Sequence, residues 1–272
     1  RADIISGDSR QGWAKSYKTL LELSTDERFD GEVEAIIDLS DIRPAGERLN
    51  GFGGVANPVK LPGLYERCAS ILNAALGRQL NSIECCLLID EAAACVVAGN
   101  IRRSAGMRQF ASDDDVATGA KENLWRQDED GNWSIDPTKD ALRMANHTRV
   151  FHEKPLPEDI ETAVRKQFYS GEGAIQWAGE AERRAQGKGR YGLNPCGEII
   201  GQDFHCNLAE IHLNQLNPRD EESQNDAFRA AGIAVAALLN HKFAEERYQK
   251  SREEDPIVGV SFTGFFDFCV KA

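Results

Sequence analysis

Asn194, Cys196 and Glu198 place an amide, a thiol and a carboxylate at alternate positions in the segment 193–213, LNPCGEIIGQDFHCNLAEIHL, and a second thiol, Cys206, follows eight residues after Glu198. In an extended stretch residues i, i+2 and i+4 project from the same face, so the spacing predicts that the three groups point at one small ligand. One chemistry for such a set is radical. A sulfur radical removes a carbon-bound hydrogen that is not acidic enough for a carboxylate alone, and the neighbouring carboxylate accepts a hydroxyl proton in a water-poor interior. Abstraction uses neutral sulfur, so it requires neither a depressed thiol pKa nor a Cys–His dyad. A second chemistry is that of a cysteine hydrolase or amidotransferase, with Cys196 as thiolate nucleophile and His205 or His212 as base. A third reading is a non-enzymatic thiol or metal module built on Cys196, His205, Cys206 and His212, although structural zinc favours paired ligands such as C-x₂₋₄-C. Pro195 stiffens the approach and Gly197 leaves room, which predicts a loop threaded through a confined space.

The elements that must carry this loop alternate between strand and helix. Ser9 to Leu23, capped by Asp8 or Ser9, spaces Trp13, Tyr17, Leu20 and Leu21 as an amphipathic helix, and Val33 to Leu39 is expected as a buried strand. Four glycines and a proline in 43–57 require tight turns or a close approach. Helices are predicted at Leu61 to Leu76 and Asn81 to Val97, then at Thr138 to Ala145, Glu158 to Ser170, Ile175 to Gln186 and Glu222 to Lys250. Strands are predicted at Met107 to Ala111 and Ile257 to Phe262. The stretch of about 111–136 is expected as a polar insert, with Ser112 capping an acidic first turn at Asp113 to Asp115 and Asp130-Gly131 as a hairpin tip between Trp125 and Trp133. Strands separated by helices of this length predict an α/β fold with mostly parallel pairing, either barrel or open sheet.

With 41% hydrophobic residues, 272 residues can bury the core of one large domain or two small ones. A net charge of −12, from 32 basic and 44 acidic residues, argues against a polynucleotide partner. Seven cysteines, an odd number that includes the adjacent Cys85 and Cys86 and no CxxC, point to a reducing cytoplasm. No apolar run approaches the ~20 residues of a membrane span and no signal peptide opens the chain, so no membrane partner is expected. Arg1 at the first position, and an apolar pattern still running from Val258 to Ala272, suggest an internal fragment. The GFGG of 51–54 lacks the GxGxxG pattern of a dinucleotide site, the Asp113 to Asp115 run lacks EF-hand spacing, and no metal site is expected. Asn146-His147-Thr148 matches a glycosylation sequon only formally.

The run NPCGE at 194–198, followed shortly by CNL at 206–208, resembles the active-site finger loop of ribonucleotide reductases. GDSRQGW (7–13), RPAG (43–46), GFGG (51–54), NIRRSA (100–105), GEG (171–173) and VGVSFTG (258–264) are similar to the monomeric adenosylcobalamin-dependent (class II) branch, in the same order along the chain. The resemblance implies that residues 1–272 are part of a catalytic domain of ten-stranded α/β barrel type, with a central finger loop at about 193–206. It implies reduction of ribonucleoside triphosphates to 2′-deoxyribonucleotides for DNA synthesis, with adenosylcobalamin as cofactor, a deoxynucleotide effector, a thioredoxin-type reductant and a monomeric enzyme. Cys196 would be the radical cysteine that takes the ribose C3′ hydrogen, Glu198 the base for the 3′-hydroxyl, Asn194 an orienting group for the ribose hydroxyls, and Cys206 half of the reducing thiol pair. The other half lies upstream in the family, so none of Cys68, Cys85, Cys86 or Cys95 is expected in that role. Arg102, Arg103 and Ser104 would belong to a substrate or effector loop, with a solvated basic turn as the simpler alternative. A related reductase with another radical source would share NPCGE; the RPAG and GFGG segments favour cobalamin.

Overall fold

The computed structural model describes residues 1–29, 31–49, 55–98, 101–102, 104–187 and 190–272. The GFGG segment, Asn100 and Arg103 lie outside the described residues. The chain divides into two compact units, one of residues 1–189 and 193–200 and one of residues 190–192 and 201–272.

The first unit opens with a strand–helix–strand crossover. Ala2–Ile5 pairs in parallel with Ala35–Asp38, Ala2 opposite Ala35 and Ile5 opposite Asp38, and the helix Arg10–Leu23 links them. Ser9 caps that helix by accepting from the Gly12 amide at 2.9 Å. The apolar stripe meets the helices Leu61–Ala74 and Ser82–Cys95: Ile4, Leu20, Leu61, Leu64, Tyr65, Cys68, Leu88 and Cys95 form the core, with Trp13, Tyr17 and Leu21 packed against it. Cys68 and Cys95 are therefore packing residues whose burial raises their thiol pKa, that of Cys95 to about 11. The 35–38 strand is less buried than expected, with Ala35 and Asp38 exposed. Asn81 and Glu84 close a capping box at the start of the second helix, and Arg78 grips Glu84 at 2.6 Å.

Two sequence motifs meet here for steric and ionic reasons. A Cβ at Gly12 would stand 2.3 Å from the Gly7 carbonyl oxygen, so only glycine lets the helix start this close to the preceding turn. The Arg43 guanidinium binds the Asp8 carboxylate at 2.8 Å, joining the 7–13 and 43–46 segments.

The centre of the first unit is a three-stranded parallel sheet in the order Gly106–Ala111, Ala145–Phe151, Ala174–Trp177. Helix Pro157–Ser170 crosses from the second strand to the third and stops at Gly171, which takes the left-handed conformation (φ 72°). The insert forms the short helix Asp115–Gly119, capped by Asp114 rather than Ser112, and an antiparallel hairpin of Trp125–Gln127 with Trp133–Ile135 around Gly131 (φ 84°).

Two expected helices are mixed elements. The segment 138–145 is a 3₁₀ turn, Asp140–Met144, that leads into the 145–151 strand, and 175–186 begins as the 174–177 strand before becoming the helix Ala178–Arg184. In both, backbone pairing with neighbouring strands overrides helical periodicity.

In the second unit Cys206–His212 pairs in parallel with Ile257–Thr263, Cys206 opposite Ile257 and His212 opposite Thr263. The long expected helix is two, Glu221–Leu238 and Glu246–Glu254, and Ile211, Leu213 and Ala231 form the core beneath. Every strand pair linked by a helix is parallel, as an α/β chain requires.

Candidate functional site

The sequence around Cys196 folds as a tight turn, not as an extended strand. The short strands Gly192–Leu193 and Ile200–Gly201 pair, and between them the Gly197 amide donates to the Asn194 carbonyl at 3.0 Å. Gly197 sits at φ 80°, a conformation open to glycine, so its function is to turn the backbone. Asn194 and Glu198 consequently meet across the turn: Asn194 Nδ2 donates to Glu198 Oε1 at 2.7 Å, and Asn194 Oδ1 accepts from the Ile199 amide at 3.1 Å. Alternation predicts the right neighbours through the wrong geometry. The turn, not a shared strand face, brings amide and carboxylate together.

Cys196, Gly197 and Glu198, with Pro195, line a cavity of about 520 Å³ whose opposite wall is the central sheet and the glycine turn after the 157–170 helix. Met107, Asn146, Thr148, Gln176 and Glu172 face it from that side. The volume lies within the range of small-molecule sites. Asn194 is not among the lining residues; its side chain is spent on Glu198 and the Ile199 amide, so it orients the carboxylate. The water-poor interior expected for the site is not what the described residues form. Cys196 and Glu198 are exposed, because one three-stranded sheet walls the cavity on one side.

Beneath the cavity lies a buried charged layer. Lys121 Nζ donates to the Ala145 carbonyl at 2.6 Å and to Glu172 Oε1 at 2.9 Å, and its side chain is 4% exposed. Gly171 (φ 72°) and Gly173 (φ 100°) flank Glu172, so the GEG motif is a turn that delivers one carboxylate to a buried lysine. His147, on the 145–151 strand, packs edge-on against Phe110, and burial, followed by the nearby charges of Lys121 and Arg108, pushes its pKa down to about 3. It is a neutral imidazole at the cavity wall. Arg108 in turn binds Asp90, whose burial outweighs that guanidinium and raises its pKa to about 6.

Cys206 begins the first strand of the second unit and is half-buried, and the adjacent Asn207 side chain donates to the Ile257 carbonyl at 3.1 Å. His205 packs at a tilt against Phe243 and edge-on against Tyr248, and burial, then His241, lowers its pKa. Packing accounts for that histidine without a catalytic role. His212, the other base considered, is an exposed residue at the end of the same strand. Among the described residues no three His, Cys, Asp or Glu side chains are grouped to hold a metal ion, and no helix is long and apolar enough to cross a membrane. Of the basic loop, Ile101–Arg102 pairs with Val97–Ala98, and Ser104 is half-buried.

Gln109, Lys121 and Gln176 carry no local motif that singles them out, and Asn146 and His147 carry only the formal sequon. Gln109, Asn146, His147 and Gln176 are polar residues inside strands, and Lys121 follows a short helix, so nothing local marks them as parts of one site.

Residues 4–67 match the family model described as the insertion domain of B12-dependent ribonucleotide reductase. The chain is similar to the adenosylcobalamin-dependent ribonucleoside-triphosphate reductase of Levilactobacillus brevis, 27% identical over 272 residues, covering 97% of this chain and 35% of the relative. Similar relatives of the same name occur in Lactobacillus helveticus, 26% identical over 283 residues with 97% and 35% covered, and in Lactobacillus leichmannii, 27% identical over 273 residues with 96% and 35% covered. The chain thus spans about 35% of the length of these curated relatives. A cysteine hydrolase or amidotransferase reading finds no support among them.

Proposed function

We propose, taking this chain as kin to the adenosylcobalamin-dependent ribonucleotide reductases, that it carries the turn on which ribonucleoside triphosphates are reduced to 2′-deoxyribonucleotides by a thiyl radical. The observation that carries the reading is the Cys196 turn itself: thiol and carboxylate line one cavity, and Asn194 fixes the carboxylate at 2.7 Å. Residues 1–272 would belong to a catalytic domain of ten-stranded α/β barrel type, with 193–206 as its finger loop.

Adenosylcobalamin, when bound, supplies the radical that converts the Cys196 thiol to a thiyl. The fit rests on Cys196 being exposed while also lining the cavity, so that a radical donor and a substrate can reach the same sulfur. Cys196 then removes the C3′ hydrogen of the ribose, and Glu198, held by Asn194, takes the 3′-hydroxyl proton. The 2′-hydroxyl leaves as water after protonation. Cys206 and a second thiol give the two electrons that reduce the resulting radical and close as a disulfide, and Cys196 returns its hydrogen to C3′ and becomes a thiyl again. A thioredoxin-type protein would reopen that disulfide. Arg102, Arg103 and Ser104 would belong to the loop that reads a deoxynucleotide effector, in an enzyme working as a monomer in the cytoplasm.

The test is turnover of ribonucleoside triphosphate by the full-length polypeptide carrying this sequence. Cys196→Ser should give no deoxynucleotide with the fold intact, and Cys206→Ser should stop steady turnover on a dithiol protein. Wild-type rates in either variant would remove that residue from the mechanism.

A further inference from the structure

A thiyl that must meet one C–H bond needs its carrier loop held in place, because small misplacements of reacting atoms are costly. Two amide side chains on the central sheet reach the entering arm of the Cys196 turn. Gln109 Oε1 accepts from the Leu193 amide at 3.0 Å, and Gln109 Nε2 donates to Gln176 Oε1 at 2.6 Å. Asn146 Nδ2 donates to the Pro195 carbonyl at 2.5 Å. The register explains the spacing. Met107 lies opposite Asn146 and Gln109 opposite Thr148, so Gln109 and Asn146 stand on neighbouring strands two positions out of step, and the backbone groups they hold, at 193 and 195, are also two apart. The departing arm is secured within the loop, where the Asn194 amide donates to the Ile199 carbonyl and the Ile199 amide to Asn194 Oδ1.

We propose that Gln109 and Asn146 are positioning residues that fasten the Cys196 turn to the sheet, Gln109 through Leu193 and Asn146 through Pro195. The residue types fit the task. The Leu193 amide can only donate, so Gln109 must present its oxygen there, and its remaining NH₂ needs an acceptor, which Gln176 provides. Glutamate at 109 would keep the first bond and lose the second; methionine would lose both. Aspartate at 146 would turn a donor into an acceptor facing a carbonyl. The functional half of this inference rests on the thiyl reading, whereas the structural half does not.

The experiment combines amide hydrogen exchange with steady-state kinetics on the full-length polypeptide. In Gln109→Met the Leu193 amide should exchange about fivefold faster or more, as loss of one hydrogen bond implies, and in Gln109→Glu it should stay within about twofold of wild type. Helix Pro157–Ser170 serves as the folding control. Asn146→Asp, at an exposed position that needs no core rearrangement, should lower kcat by about 10- to 100-fold while KM for the nucleotide changes by less than about twofold. A Leu193 amide exchanging at the wild-type rate in Gln109→Met would overturn the fastening. Asn146→Asp that raised KM at unchanged kcat would overturn the positioning role. If the wild-type polypeptide reduces no ribonucleotide, the reductase reading falls, and the exchange rates alone decide whether the sheet holds the turn.

Discussion

Replacing Lys121 with methionine tests the charged layer beneath the cavity. The lysine side chain is 4% exposed and makes two bonds, 2.6 Å to the Ala145 carbonyl and 2.9 Å to Glu172. Methionine keeps much of the volume and removes both. A buried acceptor left unsatisfied costs about 1–3 kcal/mol. A charge stranded by loss of its buried partner costs about 3–5 kcal/mol, but Glu172 is 32% exposed and regains part of its hydration, so its share falls to about 1 kcal/mol. The total is about 3 kcal/mol. With a urea dependence of about 2 kcal/mol per molar, the midpoint of the unit's unfolding transition should drop by about 1.5 M. Glu172→Gln in the Lys121→Met background should recover part of that loss, since the stranded charge is then gone. A midpoint within about 0.2 M of wild type for Lys121→Met would refute the assignment of this lysine as a structural centre of the site.

Three further outcomes follow from the same geometry. Glu198→Gln should lower kcat by about 10²- to 10⁴-fold with little change in nucleotide affinity, measured by single-turnover formation of deoxynucleotide; an unchanged rate would remove the base role. Gly12→Ala should destabilise the first unit by about 2 kcal/mol or more in chemical denaturation, because the new Cβ would stand 2.3 Å from backbone at Gly7; a neutral effect would contradict the close approach. His147 has its pKa depressed to about 3 from 6.5, so the stability it contributes is present above pH 6.5 and is lost as pH falls from 6.5 toward 3. Acid titration of stability should therefore be flatter across that window in His147→Gln, and identical slopes would rule the histidine out as its source.

The sequence made the α/β class and much of the first core legible because those features are local. The Ser9 cap and the Trp13–Tyr17–Leu20 stripe act within one or two turns of helix, and each lies where the pattern predicts. The 145–151 and 174–177 strands escaped because their pairing partners are distant in sequence, while the residues themselves carry helical spacing. At the site, the members of the Asn194–Glu198 pair were legible and their arrangement was not. A glycine at φ 80° and one backbone hydrogen bond convert an alternating stretch into a turn, and spacing cannot distinguish the two. Gln109, Asn146 and Lys121 were hidden for the same reason as the strands: each acts on a backbone or carboxylate group at least 24 residues away.

The most direct measurement of the central claim uses ribonucleoside triphosphate bearing deuterium at C3′, given to the full-length polypeptide with adenosylcobalamin and a dithiol reductant. A thiyl at Cys196 predicts deoxynucleotide that retains deuterium at C3′, formed more slowly than from the protiated substrate, and no product at all from Cys196→Ser. Equal product from the serine variant, or turnover indifferent to the isotope under single-turnover conditions where abstraction limits the rate, would contradict a thiyl at Cys196.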